Sequence, residues 1–290
     1  MRPGRLLIWT LRLIRRGRAD RRSGDKGKVK SGDGVITKGD HGPVTQPLPR
    51  TPGVELLDVH RLSLVETAAP RLSPDERAAM NHLWEEAVLA NPSLFDGPVV
   101  ACASLGWEGP HSLVVSWVRT TFRHHVLRRV MGSAAWLPSL FVAVVQPADD
   151  GRLLVGRMSR VTVAPGRWQL PGGSMEPPQG DEPLDVAALG RHAARELVEE
   201  TGVDTSPEDL SLWLVTRGAT GNVGVLFSAP SRPASFLRAR FAALPAAEED
   251  PEFDRIALVR SPAELGGPLV DYLEPIVRRC QRSGQITHMA

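Results

Sequence analysis

The sequence predicts an α+β protein: a mixed β-sheet held between helices over residues 136–285, a small α+β unit ahead of it over residues 54–135, and a basic leader over residues 1–53. Strand-like and helical runs alternate through the second half with short connections, which calls for mixed strand directions. In the first half, a helix with both ends signalled precedes two strand-like runs. Residues 23–53 turn to Gly, Lys, Asp, Pro and Thr without apolar periodicity, the composition of a linker.

The first unit contains "SPDERAAMNHLWEEAVLANP", in which Ser73 is the N-cap, Pro74 the first helical residue, Glu76 the capping-box partner and Asn91-Pro92 the stop. Met80, Leu83, Trp84 and Ala87 make one apolar stripe, so this helix packs on something. "GPVVACASL" and "HSLVVSWVR" then read as strands around a Gly-Pro turn. In the second half the strand-like runs are "SLFVAVVQ", "RLLVGRM", "RWQLPGG", "LSLWLVTRG", "NVGVLFSAP" and "DRIALVR". Helical runs are Leu184 to Thr201, "SFLRARFAAL" and "LVDYLEPIVRRC". No internal repeat is visible.

With 290 residues, 42% of them hydrophobic, the chain can bury a core of ordinary size. The near-neutral net charge hides an asymmetry: residues 1–30 hold 11 of the 35 Lys+Arg against 2 of the 33 Asp+Glu, so the body is acidic. A basic head can attract anionic partners. Its flexible linker fits a solvated leader better, and nucleic-acid binding is not expected. Deleting residues 1–50 should leave catalysis and melting temperature nearly unchanged, because such a stretch buries no core; a large drop in melting temperature would show that it packs on the body. "LLIWTLRLI" resembles a signal h-region, but Arg12 interrupts it, "RRGRADRR" follows, and no small-residue cleavage site appears, so export is not expected. Nothing later reaches the roughly 18 apolar residues of a membrane span. Cys102 and Cys280 form no metal-spaced or redox motif, which suits a reducing cytoplasm and ordinary packing.

The chemistry concentrates in "RELVEETG", Arg195 to Gly202. On a helix, Glu196, Glu199 and Glu200 stand at i, i+3 and i+4 and share one face. Like charges so placed repel, and a merely solvated face would interleave lysines, of which this helix has none. A hard divalent cation, Mg²⁺ or Mn²⁺, answers the repulsion better: it takes oxygen ligands and leaves positions for water and phosphate oxygens. Gly190, Ala194, Leu197 and Thr201 make a small or apolar stripe, so the acids border a buried contact. Arg195 precedes Glu199 by four and can hold that carboxylate or brace the preceding loop. Gly202 is the residue expected to end the helix. Upstream, "WQLPGG" ends a strand in glycines, whose backbone can approach a ligand or the helix closely.

Strand, glycine turn and acidic helix together resemble the Nudix hydrolase family, whose signature is G-x5-E-x7-R-E-U-x-E-E-x-G-U, with U aliphatic. Gly173 matches its start and Arg195 to Val203 its end. The loop between departs: 21 residues separate Gly173 from Arg195, eight more than in the signature, and both Glu176 and Glu182 are candidates for the middle glutamate. The resemblance implies a Nudix α/β/α sandwich and Mg²⁺- or Mn²⁺-dependent hydrolysis of the diphosphate bond in a nucleoside diphosphate linked to a group X. Glu196, Glu199 and Glu200 are then the metal ligands, with Arg195 among the catalytic residues and one glutamate as the base toward water. Glu252, just before the strand "DRIALVR", is the later-loop candidate for that base, in competition with Glu248 and Glu249.

Gly172 and Gly173, with Arg157 and Arg160, are the candidate substrate-binding residues, the arginines by forked hydrogen bonds to phosphate; both arginines also read well as surface charges. His192 can tune a ligand, although a solvated helix histidine is the plainer reading. Trp168 can stack on a base, but at the end of a core strand it is expected to pack. "LWEEAVLANPSLFDGPVV" followed by "TTFRHHV" resembles the leading domain of the Nudix pyrophosphatases that cleave UDP-glucose and UDP-galactose to UMP and sugar 1-phosphate, so a UDP-sugar is the expected substrate. A catalytically silent Nudix-fold nucleotide sensor is the alternative, disfavoured by the intact acidic motif.

Overall fold

The computed structural model of the chain describes residues 53–130, 132–180, 182–244 and 251–287. The predicted leader, apart from Gly53, lies outside the described residues, as do Glu248 and Glu249.

In chain order the elements are β1 (Glu55–Leu57), β2 (Arg61–Glu66), α1 (Pro74–Ala90), β3 (Pro98–Gly109), β4 (Ser112–Thr121), β5 (Leu140–Val145), β6 (Leu153–Met158), β7 (Trp168–Gln169), α2 (Val186–Thr201), β8 (Ser211–Arg217), β9 (Val223–Ser228), α3 (Ala234–Ala242), β10 (Phe253–Val259) and α4 (Leu273–Thr287). The signals that place α1 act as expected. Ser73 and Glu76 form the capping box, and the cap at Asn91 closes on Ala87. Its stripe packs through Met80, Leu83 and Trp84 on Val126 and Leu127, which lie in a 3₁₀ segment, Phe122–Arg129.

Three sheets form, ordered β2-β4-β3, β1-β8-β9-β5 and β10-β6-β7. Pairing is parallel for β2 with β4 and for β5 with β9, and antiparallel elsewhere. Two pairings were not legible in the sequence. Strand β2 takes the edge beside β4. Strand β1 pairs Leu57 with Val215 and so extends the sheet of the second half.

The backbone from Pro171 to Met175 joins these sheets. Val144 N–H donates to Pro171 O at 2.8 Å, Val142 N–H to Gly173 O at 3.0 Å, and Val100 N–H to Met175 O at 2.8 Å. The glycine turn is therefore bonded directly to the central strand β5.

Strand β5 is buried along its whole length, and its alternation divides the core. Leu140, Val142 and Val144 pack in the cluster that contains Leu189, Ala193, Ala194 and Leu197 of α2, together with Leu62, Leu113, Val115 and Trp117 of the β2-β4-β3 sheet. Phe141, Ala143 and Val145 pack in the cluster that contains Leu273, Ile276 and Val277 of α4. A sheet with α2 on one face and α4 on the other is the α/β/α layering that the sequence predicts. No helix among the described residues is long and apolar enough to cross a membrane.

Candidate functional site

Helix α2 begins where Asp185 caps it, Ala188 N–H donating to Asp185 Oδ1 at 2.7 Å. It ends at Gly202, whose φ of 72° is left-handed. Arg240 Nε donates to Gly202 O at 2.6 Å and ties this end to α3. With the apolar face of α2 on β5, Glu196 and Glu200 sit at the edge of that contact, and both are buried.

The glycine turn meets these two acids. Gly172 N–H donates to Glu200 Oε2 at 2.7 Å. A Cβ on Gly173 would lie 2.9 Å from the carboxyl carbon of Glu196. A Cβ on Gly172 would lie 2.1 Å from Val142 O, and its φ of 151° strains any other residue. Gly172→Ala should therefore destabilise the fold by about 3 kcal/mol or more, through a backbone clash with the central strand, as measured by chemical unfolding. Gly173→Ala should act mainly on Glu196 and lower activity with a smaller loss of stability.

Glu252 completes the cluster. The turn after β6 holds its backbone, Ser159 N–H donating to Glu252 O at 2.8 Å, and its residue is buried. Burial pushes the Glu200 carboxyl well above the ordinary carboxylate range, the charges of Glu252 and Glu196 push it further, and the Gly172 N–H opposes them. Glu200 Oε1 is buried with no hydrogen-bond donor.

The remaining predicted residues separate. Glu199 is half-buried at the rim of the same face. Arg195 Nη2 reaches Glu176 Oε2 at 3.3 Å, so it braces the loop, and it is Glu176 that meets the motif arginine. Glu182 is exposed in a turn with Gln179. Arg157 gives both arms of its fork to Asp254 on the neighbouring strand, at 2.8 and 3.0 Å. Arg160 is exposed in the turn after β6. Trp168 packs, its indole N–H donating to Gly266 O at 2.9 Å.

His192 corrects the plainer expectation of a solvated histidine. Its side chain is 4% exposed, with Nε2 at 3.1 Å from Glu196 Oε1. The helical period puts it on the acidic face, but only the chain folded over that face buries it. Two further residues escaped sequence reasoning. Tyr272, the chain's one tyrosine, is buried within the field of Glu200, and burial holds its hydroxyl well above the usual phenol range. Gln169 of β7 is fully buried with neither end of its amide hydrogen-bonded, and an isolated glutamine in a strand gives no signal of that.

The donor set fits a hard divalent cation. It is all oxygen, it carries an acceptor with no donor in Glu200 Oε1, and its crowded negative charge raises the Glu200 carboxyl. Among the described residues no three His, Cys, Asp or Glu side chains already converge as a formed coordination shell, so these carboxylates would turn toward an ion on binding it.

Comparison with known proteins places the same region in a family. The NUDIX domain matches residues 138–276. The uridine diphosphate glucose pyrophosphatase of Homo sapiens is 29% identical over 126 residues, covering 36% of this chain and 41% of that protein. The chain thus matches about two fifths of the length of that relative. Among solved structures, the MutT protein from Methanosarcina mazei Go1 is 22% identical, covering 51% of this chain and 96% of that one, at a TM-score of 0.36. The MutT NUDIX hydrolase from Burkholderia pseudomallei is 23% identical, covering 49% of this chain and 96% of that one, at a TM-score of 0.32. The glycine turn and the acidic helix both lie inside residues 138–276, the part of the chain that the NUDIX domain matches.

Proposed function

We propose that the chain hydrolyses the diphosphate bond of a nucleoside diphosphate linked to a group X, with Mg²⁺ or Mn²⁺, and that a UDP-sugar, giving UMP and sugar 1-phosphate, is its substrate. The observation that carries the reading is the meeting of Glu196, Glu200 and Glu252 beside the Gly172–Gly173 turn, with no lysine on α2 to neutralise them. These three, with Glu199 at the rim, form the set from which a cation would draw its ligands. The bound ion would neutralise charge developing on the phosphate oxygens and lower the pKa of a bound water.

The chain's own groups do the rest. Gly172 N–H holds Glu200 Oε2, so the buried carboxylate presents Oε1 to the site. The carboxylate of the set left outside the metal shell takes the proton from the attacking water. Arg195 stabilises the loop that leaves the glycine turn, through Glu176. Arg157 is occupied by Asp254 in this state, so Arg160 is the better placed of the two arginines for phosphate. We also retain as a proposal the division into 1–53, 54–135 and 136–285, with the middle unit serving substrate choice. Arg119 of β4 supports that role: its Nη1 donates to Pro178 O in the inserted loop at 2.8 Å.

Similarity to the human UDP-glucose pyrophosphatase and the inserted loop, long enough to cover a sugar, support the UDP-sugar. The test is a panel of UDP-glucose, ADP-ribose, NADH, coenzyme A and oxidised dGTP, offered with Mg²⁺ and read as released mononucleotide. UMP from UDP-glucose at the highest kcat/KM is the expected result. Efficient cleavage of another compound with none of any UDP-sugar would refute the substrate and keep the diphosphate chemistry.

A further inference from the structure

His192 occupies one of the unspecified positions of the acidic motif, one turn ahead of Glu196, and its contacts link the inserted loop to that glutamate. Arg195 Nη2 donates to His192 Nδ1 at 2.6 Å. Arg195 Nη2 also lies 3.3 Å from Glu176 Oε2, three residues after Gly173 in the loop that follows it. A guanidinium carries donors only, so Nδ1 is the acceptor nitrogen of the ring and the proton sits on Nε2. Nε2 is enclosed, has no aligned hydrogen-bond partner, and faces Glu196 Oε1 at 3.1 Å. A small turn of the Glu196 carboxylate is enough to align that contact.

The carboxylate has freedom to turn. A terminal carboxyl torsion is broad, and on its other side stands Gly173, which has no Cβ to confine it. Something must select the orientation in which Glu196 meets an ion, and a buried donor one helical turn away can do so without competition from water. We propose that His192 is a positioning residue: held by Arg195, and through it by Glu176, it presents Nε2–H to Glu196 and sets the orientation in which that carboxylate binds a divalent cation. The inserted loop then acts on the metal face through three side chains, although it contributes no ligand. This rests on the reading of α2 as the cation-binding helix.

Mn²⁺ binding to the full chain, followed by the electron paramagnetic resonance of free Mn²⁺, tests both levels at once. Glu196→Gln should lose most of the binding. His192→Ala should weaken Mn²⁺ affinity by about 10- to 100-fold, with the circular dichroism spectrum and melting temperature retained. His192→Gln, whose amide N–H can replace the Nε2–H, should recover most of that loss. Arg195→Met should reproduce part of it, because the ring loses its fixed tautomer, and the double variant His192→Ala/Arg195→Met should lose little beyond His192→Ala.

A folded His192→Ala protein that binds Mn²⁺ like the parent, while Glu196→Gln does not, overturns the positioning role alone. Parental binding by Glu196→Gln overturns the cation-helix reading and this proposal with it. If His192→Ala does not fold, Arg195→Met decides: weakened Mn²⁺ binding supports the relay and parental binding overturns it.

Discussion

Glu200→Gln is expected to lower kcat by about a hundredfold or more and yet to leave the metal-free protein more stable than the parent. The two effects share one cause. Glu200 is buried beside Glu196 and Glu252, and the backbone N–H of Gly172 holds its Oε2. An amide keeps the size and can still accept from Gly172, but it carries no charge for a cation and adds none to the crowded cluster. Removing an under-compensated buried charge is worth on the order of 1–3 kcal/mol. The measurements are steady-state kinetics with Mg²⁺ and chemical unfolding in chelator. Parental kcat would show that the charge of Glu200 is dispensable, and a less stable variant would show that another group compensates its burial.

Chelator is expected to abolish turnover, and Mg²⁺ or Mn²⁺ to restore it, because clustered carboxylates bind substrate phosphates only through a cation between them. The same cluster makes the metal-free protein sensitive to pH in a defined direction. In the unfolded chain the Glu200 carboxyl releases its proton near 4.5, whereas in the fold burial and like charge raise that value. Between the two, the folded state holds a proton that the unfolded state has lost. The favourable contribution is therefore complete below about pH 4.5 and is lost as pH rises through the folded value. Melting temperature in chelator should fall over that window, and saturating Mg²⁺ should offset the fall. Glu200→Gln should flatten it. Full turnover in chelator would overturn the cation mechanism, and a flat parental profile would mean that the carboxylates are not crowded in solution.

Much of the fold follows from local rules that act over a few residues. Ser73, Pro74 and Glu76 place the start of α1 whatever surrounds it, because a capping box closes within one turn. Glu196, Glu199 and Glu200 share a face because a helix has 3.6 residues per turn. Gly172 and Gly173 imply a close approach because only a missing Cβ permits one. The resemblance to the Nudix family was legible for the same reason: the acidic motif is contiguous, and its spacing survives the inserted loop.

Tertiary structure alone decided which partners meet. Glu252 lies more than 50 residues beyond Glu200 in the sequence, and the pairing of β10 with β6 is what carries it to the cluster. The Arg157 guanidinium is taken by Asp254 because antiparallel register sets the two side by side. Glu176 rather than Glu182 meets Arg195 because the inserted loop turns at Gln179 and leaves Glu182 in solvent. His192 reads as a solvent-facing helix residue, and the fold instead buries it against Glu196 and Arg195. Sequence spacing determines which side chains share an element, but burial and charge at this site come from segments far apart in the chain, and only their packing brings them together.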